Sequence, residues 1–322
     1  MSAPPPVSAQ AQGMTVVART QAQLVRRRFF RHRAAMSSLL LLVLILLLAV
    51  TSIGVGPIPG WWDKPYTGIG LVIDEGRPTL SVVPTFLGGD GLRWGEHPFG
   101  QENQGIDYFS LTMRGTQISV MIAFIVGLLG TFIGVAIGAL AGYFRGWTET
   151  ILMRLTDVII ILPLLALVAV LGRVAGNQGP VVLAVVIALF TWTGLARIVR
   201  GEFLSLREKE FIEAARAVGT PGHRIIRKHI LPNTVGVIIV SATLAIAGAV
   251  LLETALSFLG FGVQTPDTSL GRLVSDYETS FATRPWLFWW PGVFILIIAL
   301  TVNFIGDGLR DAFDPRQNKV RN

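Results

Sequence analysis

The chain has 322 residues, of which 52% are apolar and 15% are charged, and its mean hydropathy is +0.59. Soluble domains contain about 25% charged residues, so this composition excludes an ordinary soluble protein and indicates a membrane protein. The absence of cysteine excludes disulfide scaffolds and thiolate metal sites. A net charge of +7 suits either nucleic-acid binding or membrane topology, and the positions of the cations decide between them.

Six apolar stretches are long enough to cross a bilayer core about 30 Å thick. The first follows a group of arginines, but it is longer than the roughly 7–15 apolar residues of a signal-peptide core, so we interpret it as an uncleaved anchor. The sequence therefore predicts an all-α membrane protein with about six transmembrane helices. The stretches lie at 34–53, 116–141, 151–171, 180–199, 235–256 and 289–305.

The cations indicate how the chain is oriented in the membrane. With the N-terminus in the cytoplasm, 20 of the 27 Lys and Arg residues fall on the cytoplasmic side and seven fall outside. The positive-inside rule favours this orientation, which places both termini in the cytoplasm and the multi-pass chain in the plasma or inner membrane. Topology thus explains the positive charge, and nucleic-acid binding is not expected.

This topology divides the chain into five parts. The extracytoplasmic part is rich in Gly, Pro and Trp, which predicts an irregular loop with Trp61 and Trp62 at headgroup level. A poorly structured connector is the alternative. The parts are a cytoplasmic tail (1–33), a first transmembrane helix (34–53), an extracytoplasmic segment (54–115), a transmembrane core (116–305) and a second cytoplasmic tail (306–322).

The second predicted span carries glycines at a four-residue spacing, which places them on one helix face. Such a series forms a groove in which another helix can approach closely, so we expect this helix to lie inside a bundle. The pattern indicates packing and does not specify transport. The residues are Gly130, Gly134, Gly138 and Gly142.

Two carboxylates lie at or within the predicted spans, Asp157 early in the third and Glu253 late in the fifth. A charge at the bilayer centre costs about 2.5–3.5 kcal/mol, so such residues are candidate functional groups. Both lie near a membrane boundary, and Arg154 is one helical turn from Asp157. The sequence leaves open a boundary or helix-packing role and a proton-coupling role in a transport pathway.

The segment 202–233, between the fourth and fifth spans, reads as two short helices. Gly219 ends the first helix, Thr220 and Pro221 begin the second, and Pro232 ends it. The segment is a compact hook that suits the groove of a partner protein, although basic amphipathic helices also lie on lipid surfaces. The first helix has an apolar face with residues at offsets of three, four and seven: Phe211, Ala214, Ala215 and Val218.

Several motifs in and around this hook resemble those of bacterial ABC importer permeases. Glu213-Ala214-Ala215, followed by Gly219 and then by Ile230-Leu231-Pro232, is similar to the EAA loop, which docks into the cytoplasmic ATPase. We therefore name residues 202–233 the EAA loop. The basic start at 26–33 and the motifs at 253–262 and 306–316 resemble the C-type permease subunit of dipeptide, oligopeptide and nickel importers.

This resemblance implies a type I ABC importer bundle with cytoplasmic coupling helices. Its implied partners are a second homologous permease, two cytoplasmic ABC ATPases, an extracytoplasmic substrate-binding protein and the lipid bilayer. ATP and Mg²⁺ would bind in the ATPases, with no cofactor in this chain. The implied ATPase-coupling residues are Glu213, Ala214, Ala215, Arg216, Gly219, Ile230, Leu231 and Pro232.

The sequence departs from the family in its extracytoplasmic part. The family usually has Gly-Arg-Asp followed by Ser-Arg before the second span, where this chain has Gly105-Ile106-Asp107 and Ser110-Leu111. Residues 60–98 also form a longer stretch than usual. Both differences affect the expected contact with the binding protein and the substrate, and neither affects the ATPase contact.

The chain lacks the signatures of an enzyme. No lysine follows a glycine, so there is no phosphate-binding P-loop, and ATP hydrolysis is expected in partner subunits. The four histidines form no metal or nucleophile constellation with a recognisable spacing, and His97-Pro98 is typical of a turn. No catalytic residue and no metal site are therefore predicted.

The sequence supports an importer permease for short peptides and leaves other readings open. Nickel, haem or another small solute could use the same scaffold. A proton-coupled secondary transporter would use Asp157 and Glu253 and need no ATPase. A structural or assembly protein of the membrane is a third possibility.

Overall fold

The structure is a computed structural model that describes residues 21–81, 91 and 93–313. Within this part of the chain, four helices are long and apolar enough to cross a membrane, or six spans are present if each of two bent helix pairs is one span. The family fold predicted from the sequence, an all-α membrane bundle, is confirmed. The four helices are Arg33–Ile53 (α2), Tyr108–Phe144 (α3), Gly222–Phe258 and Trp286–Phe313 (α12).

The other elements include two bent helix pairs and several short segments, and the long helix Gly222–Phe258 is made of three successive parts. The described part of the chain begins with helix Gln21–Arg31 (α1), and a two-stranded antiparallel hairpin pairs Gly54–Val55 (β1) with Ile58–Pro59 (β2). The bent pairs are Gly146–Ile161 (α4) with Leu164–Gly176 (α5), and Pro180–Thr191 (α6) with Thr193–Arg207 (α7). The others are Glu210–Ala217 (α8), Gly222–Ile225 (α9), the π-helix Ile226–Ile230, Leu231–Phe258 (α10), Leu270–Asp276 (α11), and 3-10 turns at Asp74–Gly76 and Glu278–Ala282.

The third predicted span, 151–171, is not one straight helix. It breaks between α4 and α5 with a bend of 85°. Pro163 explains the break, because proline has no amide hydrogen and disfavours a helical conformation in the residue before it. Leu162 is accordingly extended, with φ −71° and ψ 131°.

The fourth predicted span, 180–199, is also bent, by 44° between α6 and α7. No proline lies at this break. The buried indole of Trp192 donates a hydrogen bond of 2.8 Å from Nε1 to the carbonyl of Leu189, an acceptor that the helix itself would otherwise use. Insertion of a side-chain donor into the helical hydrogen-bond ladder is a recognised cause of kinks.

Helix α3 lies at the centre of the bundle, in contact with α2, α6, α7, α10 and α12. The main core joins its Met113, Ile122 and Val126 to apolar side chains of the surrounding helices. A second, smaller cluster lies at the end of the bundle that carries the EAA loop; we name this the EAA end. The second cluster contains Ala139, Val199, Phe203, Ile212, Ile225 and Ile230.

The opposite end of the bundle carries the segment 54–107, whose described residues are mostly irregular in backbone, as expected, apart from the short hairpin and one 3-10 turn. Some of its side chains nevertheless pack on the bundle. Trp62 is half-buried, its ring lies 5.0 Å from that of Phe109, and its Nε1 donates to Asp107 Oδ2 at 2.9 Å. The position of Trp61 and Trp62 at headgroup level stays a prediction. Long-range aromatic and polar contacts, which local turn signals do not encode, hold this indole against the bundle.

Candidate functional site

The corner of the EAA loop is a helix stop centred on Gly219. The Gly219 amide donates to the Arg216 carbonyl at 2.9 Å, and the Thr220 amide donates to the Ala215 carbonyl at 3.0 Å. This pair of bonds is a Schellman motif, which needs a left-handed residue, and Gly219 has φ +75°. A β-carbon there would meet no atom within 4 Å, so the demand for glycine comes from the backbone conformation.

Helix α8, which precedes the corner, presents most of its apolar side chains to the outside. Ile212 is fully buried in the small cluster at the EAA end, whereas Phe211 is 45% exposed and Val218 is 81% exposed. Ala214 is also exposed. These three exposed residues are spaced three and four apart, so they share one helix face, which we name the α8 face.

The EAA residues divide between this exposed surface and the bundle. Glu213 is exposed, and its carboxylate has no hydrogen-bond or ion-pair partner among the described residues. Ala215 packs against the small cluster. The guanidinium of Arg216 lies 5.6 Å from the ring centre of Tyr143, at the end of α3, and Arg207 lies 5.8 Å from the same ring.

The second arm of the loop does not end at Pro232, so that expectation is wrong. The helix runs without interruption from Gly222 to Phe258. Its hydrogen bonding changes to a π turn, in which the Leu231 amide donates to the carbonyl of Ile226, five residues back. A π turn widens the helix just before Pro232 and so helps to accommodate its ring.

The start of this arm also differs from the expectation. Pro221 is the residue that flanks the helix, and α9 begins at Gly222, without a side-chain cap from Thr220. Ile225 and Ile230 are fully buried, Leu231 is half-buried and Pro232 is exposed. Two residues, Thr220 and Pro221, therefore connect the corner to a long helix that is apolar enough to cross the membrane.

The glycine series of α3 faces α6 and α7. A β-carbon on Gly134 would lie 2.9 Å from the Trp192 carbonyl oxygen, and one on Gly142 would lie 2.8 Å from the Arg200 carbonyl oxygen. One on Gly138 would lie 2.8 Å from Val199 Cβ, and Gly130 has slightly more room beside Thr191. Side chains larger than hydrogen would push these helices apart.

The two candidate carboxylates have different surroundings. Asp157 is partly exposed and accepts a hydrogen bond of 2.6 Å from Arg197, not from Arg154. Glu253 is fully buried and accepts from Ser257 at 2.7 Å and from Ser119 at 3.1 Å. The structure thus places them in separate contacts, one with a cation on α7 and one with hydroxyl groups between α3 and α10.

A buried polar cluster in the segment 54–107 was not identified from the sequence. Asp107 accepts from Trp62, from the Ser110 amide at 2.9 Å and, at 2.8 Å, from Nδ1 of His97. The other ring nitrogen of His97 lies 3.3 Å from Lys64 Nζ. Asp107 followed three residues later by Ser110 is a helix-start signal that could have been read, but the approach of His97 depends on tertiary structure. The interpretation of His97 as a simple turn residue was incomplete.

Among the residues that the structure describes, no three His, Cys, Asp or Glu side chains are placed to hold a metal ion together. The exposed features at the EAA end are apolar and charged side chains suited to contact with another macromolecule.

Comparison with known proteins places these features in a family. Residues 134–319 match the binding-protein-dependent transport system inner membrane component family, and residues 20–60 match the N-terminal transmembrane domain of oligopeptide transport permease C. The first match includes the whole EAA loop.

Curated relatives and a solved structure agree with this match. The oligopeptide transport system permease protein OppC of Haemophilus influenzae is 37% identical over 314 residues, which cover 96% of this chain and 93% of that protein. The protein of the same name from Mycobacterium tuberculosis is 40% identical over 227 residues, 70% of this chain and 78% of that one. A chain of the MetNI methionine ABC transporter, in an inward facing conformation, has a similar fold, with a TM-score of 0.51 and 21% identity over 64% of this chain and 97% of that chain. The chain belongs to the family of binding-protein-dependent transport system inner membrane components.

Proposed function

We propose that this chain is one of two permease subunits of an ATP-driven importer, and that the two permeases together form a path for short peptides. The exposed α8 face, joined to a continuous membrane-crossing helix, is the observation that carries the proposal. Peptides are the favoured substrates because relatives of high coverage are named oligopeptide permeases. Nickel, haem and other small solutes are the alternatives.

Coupling would begin at the α8 face. Phe211, Ala214 and Val218 would enter a groove of a cytoplasmic ATPase, with Glu213 as a polar contact at its side. Exposed apolar groups of this kind gain free energy when a partner covers them. Gly219 would hold the corner, and Ala215, Arg216, Ile230, Leu231 and Pro232 would join it to the bundle.

The motion would pass from the corner into the membrane through the helix Gly222–Phe258. Because this helix has no break, a displacement of the corner would tilt α10 instead of being absorbed by a flexible linker. Two ATPases that close on ATP and Mg²⁺ would then move the two permeases between inward-open and outward-open states. No step of hydrolysis would occur in this chain.

The other partners follow from the same arrangement. Both termini and the EAA end would lie in the cytoplasm, as the positive-inside rule favours. The segment 54–107 would then face the substrate-binding protein. Helix α4 has an apolar surface left uncovered in the single chain, and it would contact the second permease: its exposed side chains include Ile151, Leu155, Val158 and Ile161.

The test replaces the α8 face in the complete purified importer. Phe211→Asp and Val218→Asp together should abolish ATPase co-purification and lower peptide-driven ATP hydrolysis at least about tenfold, because carboxylates would have to be desolvated in the groove. Ile58→Asp is the matched control, since Ile58 is 69% exposed at the opposite end, and its ATPases should remain bound.

Unchanged ATPase binding and unchanged coupling in the double variant would refute the proposal. The proton-coupled alternative is tested separately with Asp157→Asn and Glu253→Gln. Uptake that survives ATP depletion, collapses with the proton gradient and is lost in these variants would favour that alternative.

A further inference from the structure

A large groove lies at the EAA end, and its lining includes Pro232 and Asn233 at the end of the EAA loop. Its volume is about 1020 Å³, and α1, α10 and α12 form its walls, with one residue from α7. Sites for small molecules usually measure about 300–1,000 Å³, so this groove suits a long ligand. Residues that define it are Arg26, Phe29, Gly236, Val240, Arg310 and Phe313.

The walls of the groove are mainly apolar, and close packing forms its floor. A β-carbon on Gly236 would lie 3.0 Å from the ring of Phe313, so α10 and α12 approach closely there. Phe29 projects from α1, and Val240 lies two turns further along α10 than Asn233. Aliphatic chains could therefore occupy the groove without desolvating any charged group.

The mouth of the groove is cationic. Arg26 and Arg310 both line it, both are exposed, and neither has a hydrogen-bond or ion-pair partner in the described part of the chain. The described lining contains no Asp or Glu. The nearby Asp311 pairs instead with His32, at 3.4 Å, outside the groove.

The position of these charges along the helices identifies the ligand class. Arg310 lies in the last turn of α12, and Arg26 lies in α1, before the first membrane-crossing helix begins at Arg33. In the predicted orientation, both guanidinium groups would lie at the level of lipid headgroups, and Val237, Ile239 and Val240, further along α10, would lie deeper. A ligand for this groove needs an anionic head and an aliphatic body.

We propose that the groove binds one anionic phospholipid, whose phosphate lies between Arg26 and Arg310 and whose acyl chains lie along α10. Arginine suits this role because its guanidinium donates two parallel hydrogen bonds to phosphate oxygens. The lipid would bridge α1, α10 and α12, and so tie the amphipathic first helix to the helix that continues from the EAA corner. The proposal does not depend on the substrate or on ATPase coupling.

The first test is native mass spectrometry of the complete complex with added phosphatidylglycerol or phosphatidylcholine. The wild-type complex should retain phosphatidylglycerol preferentially. Arg26→Gln with Arg310→Gln should weaken its binding by about 20- to 30-fold, from the typical contribution of two cations near an anionic membrane surface. Arg27→Gln removes the neighbouring charge of α1, which does not line the groove, and should retain wild-type binding.

The second test keeps both arginines and identifies the occupant directly. Val240 is replaced by the photoreactive residue p-benzoylphenylalanine, and adducts formed in native membranes are identified by mass spectrometry. An adduct with an anionic phospholipid supports the proposal. Adducts only with residues 314–322, with the second permease or with zwitterionic lipid would overturn it, as would equal retention of both lipids in the first test.

Discussion

The two ends of the bundle differ in how their side chains are packed. At the EAA end, α8 rests on the bundle through fully buried Ile212 and stacked Arg216, and it leaves Phe211 and Val218 exposed. At the opposite end, the aromatic ring of Phe109 is buried, and Asp107 collects three hydrogen-bond donors.

The EAA end thus presents a surface suited to contact with a partner, whereas the opposite end contains buried contacts that fix its geometry. A buried and fully paired polar network fixes one geometry, because any displacement leaves a donor or acceptor without a partner. An exposed apolar face has no such constraint, and covering it with a partner lowers the free energy by burying apolar surface. We therefore expect mutations of the buried contacts around Phe109 and Asp107 to cost stability and mutations at the EAA corner to cost coupling.

The largest effect on stability is expected for Phe109→Ala. The ring lies 5.0 Å from Trp62, 5.5 Å from Trp94 and 5.1 Å from Phe99, so its removal leaves a cavity among aromatic side chains. The free energy of unfolding should fall by about 3–5 kcal/mol, measured by denaturant titration in detergent. Phe132→Ala is the control on the same helix, because Phe132 is 72% exposed. Equal losses in the two variants would contradict the distinction.

Asp107→Ala should have the next largest effect. It removes a helix cap and leaves the Trp62 indole and the His97 ring without their buried acceptor, which together should cost about 2–4 kcal/mol of unfolding free energy. Asp63→Ala removes an exposed carboxylate from the same segment and should be nearly neutral. A loss below about 1 kcal/mol in Asp107→Ala would show that the network does not hold the segment.

At the EAA corner, Gly219→Ala should cost about 1–2 kcal/mol locally, because alanine would have to adopt the left-handed conformation of Gly219, at φ +75°. Steric overlap would add nothing, since an added β-carbon meets no atom within 4 Å. The thermal midpoint of the bundle should change little, while peptide-stimulated ATP hydrolysis falls severalfold. Gly201→Ala is the control: Gly201 is exposed in helix α7, and a β-carbon added there would meet no atom within 4 Å. Loss of bundle stability without loss of coupling would reverse the expected pattern.

The smallest effect at neutral pH is expected for Tyr277→Phe, which removes a 3.1 Å hydrogen bond to Glu102 and should cost about 1 kcal/mol. Burial raises the pKa of Tyr277 well above its usual range, and the Glu102 carboxylate adds to that increase. Because the unfolded pKa is about 10, the stabilisation should be complete below that pH and be lost as the pH rises above it. Stability curves of both proteins between pH 8 and 11 should therefore converge. A constant difference across this range would refute the assignment.

Sequence reasoning identified the fold class and the family because both rest on local patterns. Apolar stretches of membrane length and the E-A-A, glycine and I-L-P motifs are contiguous in the chain, and the all-α permease assignment is confirmed. The bend at Pro163 was also readable, since proline acts on its own backbone. The bend at Trp192 was not, because it depends on where the indole donates its hydrogen bond.

The features that were missed depend on residues far apart in the sequence. Trp62 and Asp107 are 45 positions apart, and their contact joins the irregular segment to the start of α3. At Pro232 a local signal was misleading: proline predicts the end of a helix, but a π turn just before it lets the longer helix continue. The roles of Glu213, Asp157 and Glu253 remain predictions about an assembled transporter.

Contact between the α8 face and an ATPase is the central claim, and cysteine cross-linking tests it most directly. The chain has no native cysteine, so Ala214→Cys introduces a unique thiol on that face. In native membranes, it should cross-link to the ATPase subunit through a short bifunctional maleimide, with a yield that changes when ATP is added, whereas Ile58→Cys should not. An active importer in which Ala214→Cys reacts freely with a monofunctional maleimide but never cross-links to the ATPase would contradict the claim.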